Sequence, residues 1–153
     1  MRVQSPLHLL LVEDDPADAY LVQLALKESG HHLSLHHAQD AQEALQLLQS
    51  PHLASERFAH PDLILLDLNM PRMNGLEFLK KIKQNSALKA IPVVMLTTSD
   101  AESDIQAAYQ QGAAGYLVKP ADMDLFIRQI KQLLDYWALL VHLPSAPVQG
   151  EAS

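Results

Sequence analysis

Asp62-Leu63-Ile64-Leu65-Leu66-Asp67-Leu68-Asn69-Met70-Pro71-Arg72-Met73-Asn74-Gly75 is the stretch on which the fold turns. Leu63 to Leu66 is an unbroken apolar run, too short for an ordinary globular helix, and Pro71 and Gly75 follow closely. It reads as a strand buried on both faces, which requires a covering layer on each side. Asp67 stands where that strand ends, and open parallel sheets present their chemistry at the carboxyl ends of their strands. Taken alone, Asp67 could equally close the following loop through an Asx turn.

Upstream, Leu7 to Val12 is apolar apart from His8 and forms a first strand ending in Glu13-Asp14-Asp15-Pro16. Asp15 suits a helix N-cap and Pro16 the first helical position. The helix they open runs to Gly30, with Ala17, Leu21, Leu24 and Ala25 on its buried face. Leu33 to Ala38 is a weaker strand, interrupted by His36 and His37. Asp40-Ala41-Gln42-Glu43 resembles a capping box for a second helix, whose stripe is Ala41, Ala44, Leu45 and Leu48. Ser50 to Pro61 reads as a polar surface loop with Phe58 packed beneath it.

Downstream of Gly75, a third helix turns Leu76, Leu79 and Ile82 inward and Lys80, Lys81 and Lys83 outward. Ile91 to Leu96 is another continuous apolar run, with Pro92 near its start, where a missing ladder donor is tolerated. It ends in Thr97-Thr98-Ser99. Ser99 and Glu102 suggest a second capping box, opening a helix with Ala101, Ile105, Ala108 and Gly112 on one face. Gly115 to Val118 is a short fifth strand stopped by Lys119-Pro120. The last helix begins near Asp122 and carries Met123, Phe126, Ile127, Ile130, Leu133 or Leu134, Trp137 and Val141, becoming apolar around much of its circumference towards its end. Residues 145–153 lack periodicity and read as a disordered tail. Strands alternating with helices in this way specify an α/β fold with a doubly wound, five-stranded parallel sheet flanked by five helices.

Bulk properties narrow the function. A chain of 153 residues with 48% hydrophobic content suits one domain with one core. A formal charge of -7 without a Lys/Arg cluster argues against nucleic acid, since counterion release needs such a cluster. The absence of cysteine excludes disulfides, thiolate nucleophiles and zinc-thiolate sites. The first apolar segment is interrupted by Glu13 and is neither a signal peptide nor a membrane span, so a soluble cytoplasmic protein is expected. His36 and His37 fall on opposite faces of their strand, which argues against a shared metal ion.

Parallel βα units bring every strand's carboxyl end to one edge, here Glu13-Asp14, Asp67, Thr97 and Lys119. Carboxylates converging there repel one another unless they share a cation or proton. Magnesium suits them, being a hard cation that takes oxygen ligands, keeps several waters and bridges carboxylate to phosphate. With such a cation and Lys119 nearby, a carboxylate becomes a plausible nucleophile towards phosphorus, its developing charge met by metal, ammonium, hydroxyl and backbone donors.

Val12-Glu13-Asp14-Asp15, Leu65-Leu66-Asp67-Leu68-Asn69-Met70-Pro71, Leu96-Thr97-Thr98 and Gly115-Tyr116-Leu117-Val118-Lys119-Pro120 together resemble the four signatures of a two-component response regulator receiver domain. The resemblance covers residues 7–135. It implies a flavodoxin-like sheet of order 2-1-3-4-5 and a phosphoacceptor at Asp67. It also implies Mg2+ held by Asp14 directly, by Glu13 through water, by Asp67 and by the main-chain carbonyl of Asn69. Thr97 would move to the phosphoryl group, Lys119 would pair with it, Tyr116 would rotate inward as the switch, and the Lys119–Pro120 peptide would be cis. Glu13 stands where many members have Asp.

Residues 136–144, Tyr-Trp-Ala-Leu-Leu-Val-His-Leu-Pro, extend beyond a minimal receiver and resemble the ending of the stand-alone regulators that accompany cyanobacterial phytochrome histidine kinases. A sensor histidine kinase, specifically a phytochrome, is therefore the implied phosphodonor, with neither nucleic acid nor membrane as a partner. Tyr136, Trp137, Leu140 and Val141 offer more apolar surface than one sheet edge needs, so a two-fold homodimer through the final helix and its extension is expected. Two other readings compete. One is a pseudo-receiver acting as a phosphorylation-independent adaptor. The other is an aspartyl phosphohydrolase, which wants a second acid two positions after the nucleophile, where this chain has Asn69. Phosphate loss should accordingly be slow, and the protein is not expected to be an enzyme.

Overall fold

The computed structural model describes residues 6–49 and 60–144. The strands are β1 (Leu7–Val12), β2 (Leu33–Ala38), β3 (Leu63–Leu66), β4 (Val93–Thr97) and β5 (Gly115–Val118). They form one sheet of order β2-β1-β3-β4-β5, every neighbouring pair parallel. The α-helices among the described residues are α1 (Pro16–Ser29), α2 (Ala41–Gln49), α3 (Gly75–Gln84), α4 (Glu102–Gln110) and α5 (Met123–Asp135). The expected flavodoxin-like topology is the one observed.

The apolar run at 63–66 is explained by what each side chain meets. Leu63 and Leu65 point with Leu9, Leu11, Val94 and Leu96 into a cluster closed by α1 and α5. Ile64 and Leu66 point the other way, with Leu10, Val12, Val93 and Met95, into a cluster closed by α2, α3 and α4. All four β3 side chains are fully buried, and each burial is worth about 1.5–3 kcal/mol. The edge strands β2 and β5 are only half-buried, so their patterns are less apolar.

Helix ends follow their local chemistry. Asp15 caps α1 by accepting from the N–H of Ala17 at 2.9 Å, and Gly30 closes it in the left-handed region at φ 75°. Asp40 accepts from the Glu43 N–H at 2.8 Å, while the Glu43 carboxylate reaches back to the N–H of Gln39, one residue earlier than in the usual box. Asp122 caps α5 through the Leu125 N–H at 3.0 Å.

Several local expectations are corrected. The buried face of α1 is Ala19, Val22, Ala25 and Leu26, with Ala17 exposed, because this helix is apolar on more than one side and periodicity alone did not select the face. In α3, Phe78 joins Leu79 and Ile82 in the core, while Leu76 lies at its margin. Lys83 is not a solvated face residue: it donates to the carbonyls of Lys89 and Ile91 at 2.9 and 2.7 Å. α4 has no Ser99–Glu102 box. Its N-cap is Ala101, without a side-chain cap, and Ser99 instead donates through Oγ to Asp104 at 2.6 Å. Gly112 lies beyond the end of α4. No cis peptide occurs among the described residues, so Lys119–Pro120 is trans.

α5 does not continue as a plain α-helix. Tyr136–Leu140 forms a π-helical turn closed by the Val141 N–H on the Tyr136 carbonyl at 3.2 Å, and Val141 is extended. Trp137 folds back towards the α1/α5 cluster, whereas Tyr136, Leu139 and Leu140 are exposed. The Ser50–Pro61 loop falls outside the described residues over 50–59, Phe58 included, as does the tail at 145–153.

Gly75 fixes the path from β3 into α3. Its N–H donates to the Leu68 carbonyl at 2.8 Å, and a Cβ there would collide with the Asp67 carbonyl oxygen and lie 2.8 Å from Leu68 Cα. Gly75→Ala is therefore expected to destabilise by about 1–3 kcal/mol, by forcing the backbone beside Asp67 to move. A urea unfolding midpoint equal to that of the wild type would show that the loop yields freely.

Candidate functional site

The carboxyl ends of β1, β3, β4 and β5 converge as the topology requires. Glu13 leaves β1 with its N–H on the Ala38 carbonyl at 3.1 Å, and Asp67 leaves β3 with its N–H on the Val12 carbonyl at 3.0 Å. These backbone bonds set two acidic residues side by side. Glu13 is 1% exposed and Asp67 6%, while Asp14 faces solvent. One carboxylate oxygen from each of Glu13, Asp14 and Asp67 lies within 4.8 Å of the others, an all-oxygen group that fits a divalent metal ion. Asn69 is exposed two residues beyond Asp67, and its backbone N–H donates to the Asp67 carboxylate.

Lys119 closes the group from the side of β5. Its backbone N–H bonds the Thr97 carbonyl at 2.7 Å, which anchors the end of β5 to the end of β4. Its side chain is 5% exposed, with Nζ 2.5 Å from Glu13 Oε1, 2.8 Å from Asp18 Oδ2 and 3.7 Å from Asp67 Oδ1. Thr97 is fully buried and its Oγ1 accepts from the Ser99 N–H at 3.2 Å. Tyr116 is half-buried, with its hydroxyl donating to the Ser99 carbonyl at 2.9 Å. All the residues singled out from the sequence thus lie along one sheet edge or beside it.

Burial dominates the electrostatics. Glu13 is pushed up to about 8 by loss of solvent, against the pull of the Lys119 ammonium and with a further push from Asp67. Asp67 is raised for the same first reason, although Lys119 acts to lower it. Burial also works against the charge on Lys119, but hydrogen bonds to Asp18 and Glu13 outweigh it and its pKa is raised. Burial of Glu13 and Asp67 thus outweighs the positive charge that Lys119 brings to them.

Sequence reasoning missed two contacts. Asp18 on the first turn of α1 supplies a third carboxylate to Lys119. Its position five residues after Glu13, across a strand-to-helix corner, is a signal only once that corner is known. His37 Nε2 lies 2.7 Å from the Glu13 carbonyl oxygen and so donates to it, which places one histidine of β2 against the acidic corner. In the loop after β3, Arg72 adopts φ 67° and pairs with Asp40 at 2.8 Å, linking that loop to the start of α2.

Comparison with known proteins gives a consistent picture. The family model described as the response regulator receiver domain matches residues 9–131. The response regulator Rcp1 of Synechocystis sp. is 41% identical over 141 residues, covering 92% of this chain and 95% of that protein. The crystal structure of the phosphorylated cyanobacterial phytochrome response regulator RcpA superposes with a TM-score of 0.85 at 37% identity, covering 92% of this chain and all of that one. The Mn2+-bound form of Rcp1 superposes with a TM-score of 0.82 at 40% identity, again over 92% of this chain.

The raised Glu13 pKa fixes the sign of a pH effect. Between about 4.5, its ordinary value, and about 8, the folded state keeps a proton that the unfolded chain has lost, so stability falls as pH rises through that window. In the presence of chelator, unfolding free energy should decline by an amount on the order of a few kcal/mol between roughly pH 5 and pH 8.5. That decline should shrink in Glu13→Gln. A divalent ion should restore more stability at the upper pH than at the lower. A pH-independent stability with no gain from metal, followed by urea titration, would sink this account.

Proposed function

Because the chain belongs to the response regulator receiver family, whose model spans residues 9–131, we propose that it is a single-domain response regulator that accepts a phosphoryl group onto Asp67. It is a signalling protein rather than an enzyme of the ordinary kind, and the solved structures it resembles include phytochrome response regulators. One observation carries the reading: a buried lysine, a buried threonine and the carboxylates of Glu13 and Asp14 stand around Asp67 at a single sheet edge, with Lys119 Nζ 3.7 Å from Asp67 Oδ1.

In the transfer, an Asp67 carboxylate oxygen forms a bond to phosphorus as the bond from phosphorus to the donor's histidine nitrogen breaks. The freed imidazole then takes a proton from solvent. The three equatorial oxygens need donors. Lys119 moves the short remaining distance to one of them, and Thr97, whose Oγ1 accepts from the Ser99 N–H, turns its own O–H to donate to another. Glu13, Asp14, Asp67 and the carbonyl of Asn69 would hold Mg2+, which when bound supplies the positive charge that the buried acids lack. Tyr116, tied through its hydroxyl to the Ser99 carbonyl, would register the displacement of Thr97. Asn69 cannot protonate a leaving group, so loss of phosphate by water attack is slow.

The donor is a sensor histidine kinase, and the phytochrome regulators that this chain resembles support a phytochrome in that role. No helix among the described residues is long and apolar enough to cross a membrane, and the exchange is assigned to the cytoplasm. Residues 7–135 form the receiver, and 136–144 form an extension that serves a homodimer. Tyr136, Leu139 and Leu140 are exposed at 52%, 64% and 71%, a cluster of apolar side chains at the end of α5 that a second copy would cover.

Incubation with Mg2+ and acetyl phosphate should raise the intact mass by one phosphoryl group in the wild type and leave Asp67→Asn unchanged. Unlabelled wild type in the presence of a competent donor would favour a phosphorylation-independent adaptor. For the dimer, Leu140→Glu should shift sedimentation towards the monomer by at least about tenfold in dissociation constant, since a buried charge at such a contact costs more than 1.4 kcal/mol. A wild type that stays monomeric at high concentration, phosphorylated or not, would remove the dimer.

A further inference from the structure

Lys119 is held by more carboxylates than phosphoryl transfer requires. An ammonium has three donors and no acceptor. One of them meets Glu13 at 2.5 Å and one meets Asp18 at 2.8 Å, whereas Asp67 at 3.7 Å is beyond hydrogen-bonding length. Asp18 belongs to the first turn of α1, where the unpaired backbone N–H groups favour a carboxylate. Its side chain is 25% exposed and turned to the ammonium. Among the described residues, the group that fits a metal consists of Glu13, Asp14 and Asp67 and leaves Asp18 out.

Resting on the phosphoacceptor reading, we infer that Asp18 is a positioning residue that holds the Lys119 ammonium back from Asp67, and so sets how readily the acyl phosphate forms and how long it lasts. Charge-assisted hydrogen bonds are among the stronger ones, and Lys119 must exchange the one to Asp18 for a phosphoryl oxygen. Glu13 has a second role as a candidate metal ligand. Asp18 has none, which leaves it free to act as a counterweight. Its removal lowers the cost of moving the ammonium, so the phosphorylated form gains from both directions: faster formation and slower loss.

The test is a set of variants labelled with acetyl phosphate and Mg2+ and followed by intact mass over time. Asp18→Asn keeps the side-chain shape and should speed labelling and lengthen the phosphorylated lifetime, each by about two- to tenfold, the range expected for one such hydrogen bond. Asp18→Glu should return towards wild type. Glu28→Gln removes the same charge from the same helix about 15 Å along its axis and should change neither rate.

In a Lys119→Met background, labelled over longer incubation, Asp18→Asn should have no further effect, because its influence runs through the lysine. The same pair should show coupling in urea unfolding without metal or phosphate, a readout that needs no transfer at all. Slower labelling in Asp18→Asn, an equal effect in the Lys119→Met background, or absence of coupling in unfolding would each overturn the inference. Labelled wild type with rates untouched by Asp18→Asn overturns this inference alone. Wild type that takes no label overturns the phosphoacceptor reading and this inference with it.

Discussion

The site depends on one buried ammonium set among carboxylates. Glu13 and Asp67 are almost entirely removed from water, and two such groups a few ångströms apart are tolerated only with a proton, a cation or both between them. Lys119 supplies part of that charge and is itself buried, so each partner needs the others. Removing one member of such a set leaves an uncompensated charge, which costs more than the intact set contributes. The same residue is also a backbone joint, since its N–H on the Thr97 carbonyl holds β5 against β4 at the edge where the chemistry lies.

That joint exists because the sheet is covered on both sides. β1, β3 and β4 alternate their side chains between the α1/α5 cluster and the α2/α3/α4 cluster, so both faces must be apolar and the runs are nearly continuous. Polar residues are then confined to the strand ends, and parallel pairing gathers those ends together. Gly75 shows how tightly the arrangement is built. The chain turns from β3 into α3 so close to Asp67 that no side chain fits, and the backbone that presents the carboxylate also starts the helix.

What was legible in the sequence follows from the same physics. The central strands announced themselves because burial on two faces leaves their runs almost free of polar interruptions, and Glu13, Asp14, Asp67, Thr97 and Lys119 stood out as the polar residues at the strand ends. The helix faces were less readable. α1 carries apolar residues around much of its surface, and only packing against α5 shows that Ala19, Val22, Ala25 and Leu26 are the inner ones. Ser99 and Glu102 have the spacing of a capping box, but Ser99 bonds Asp104 and the helix starts without that cap. Asp18 escaped notice because its partner is 101 residues away. The end of α5 held a further ambiguity: an apolar period continues through Trp137, yet the π-helical turn sends that ring inward and leaves Tyr136, Leu139 and Leu140 outside.

The route by which Asp67 would influence that outer surface is short and made of hydrogen bonds. Thr97 Oγ1 is engaged by the Ser99 N–H, the Ser99 carbonyl receives the Tyr116 hydroxyl, and Ser99 Oγ is tied to Asp104 at the start of α4. A threonine hydroxyl drawn towards a phosphoryl group on Asp67 would stretch its bond from the Ser99 N–H, and Ser99 holds both the aromatic of β5 and the first turn of α4. Lys119 follows Tyr116 by three residues at the same strand end, so the Lys119 ammonium and Thr97 both bear on β5. β5 leads directly into the Asp122 cap of α5. The exposed apolar cluster after α5 is therefore separated from Asp67 by one strand and one helix.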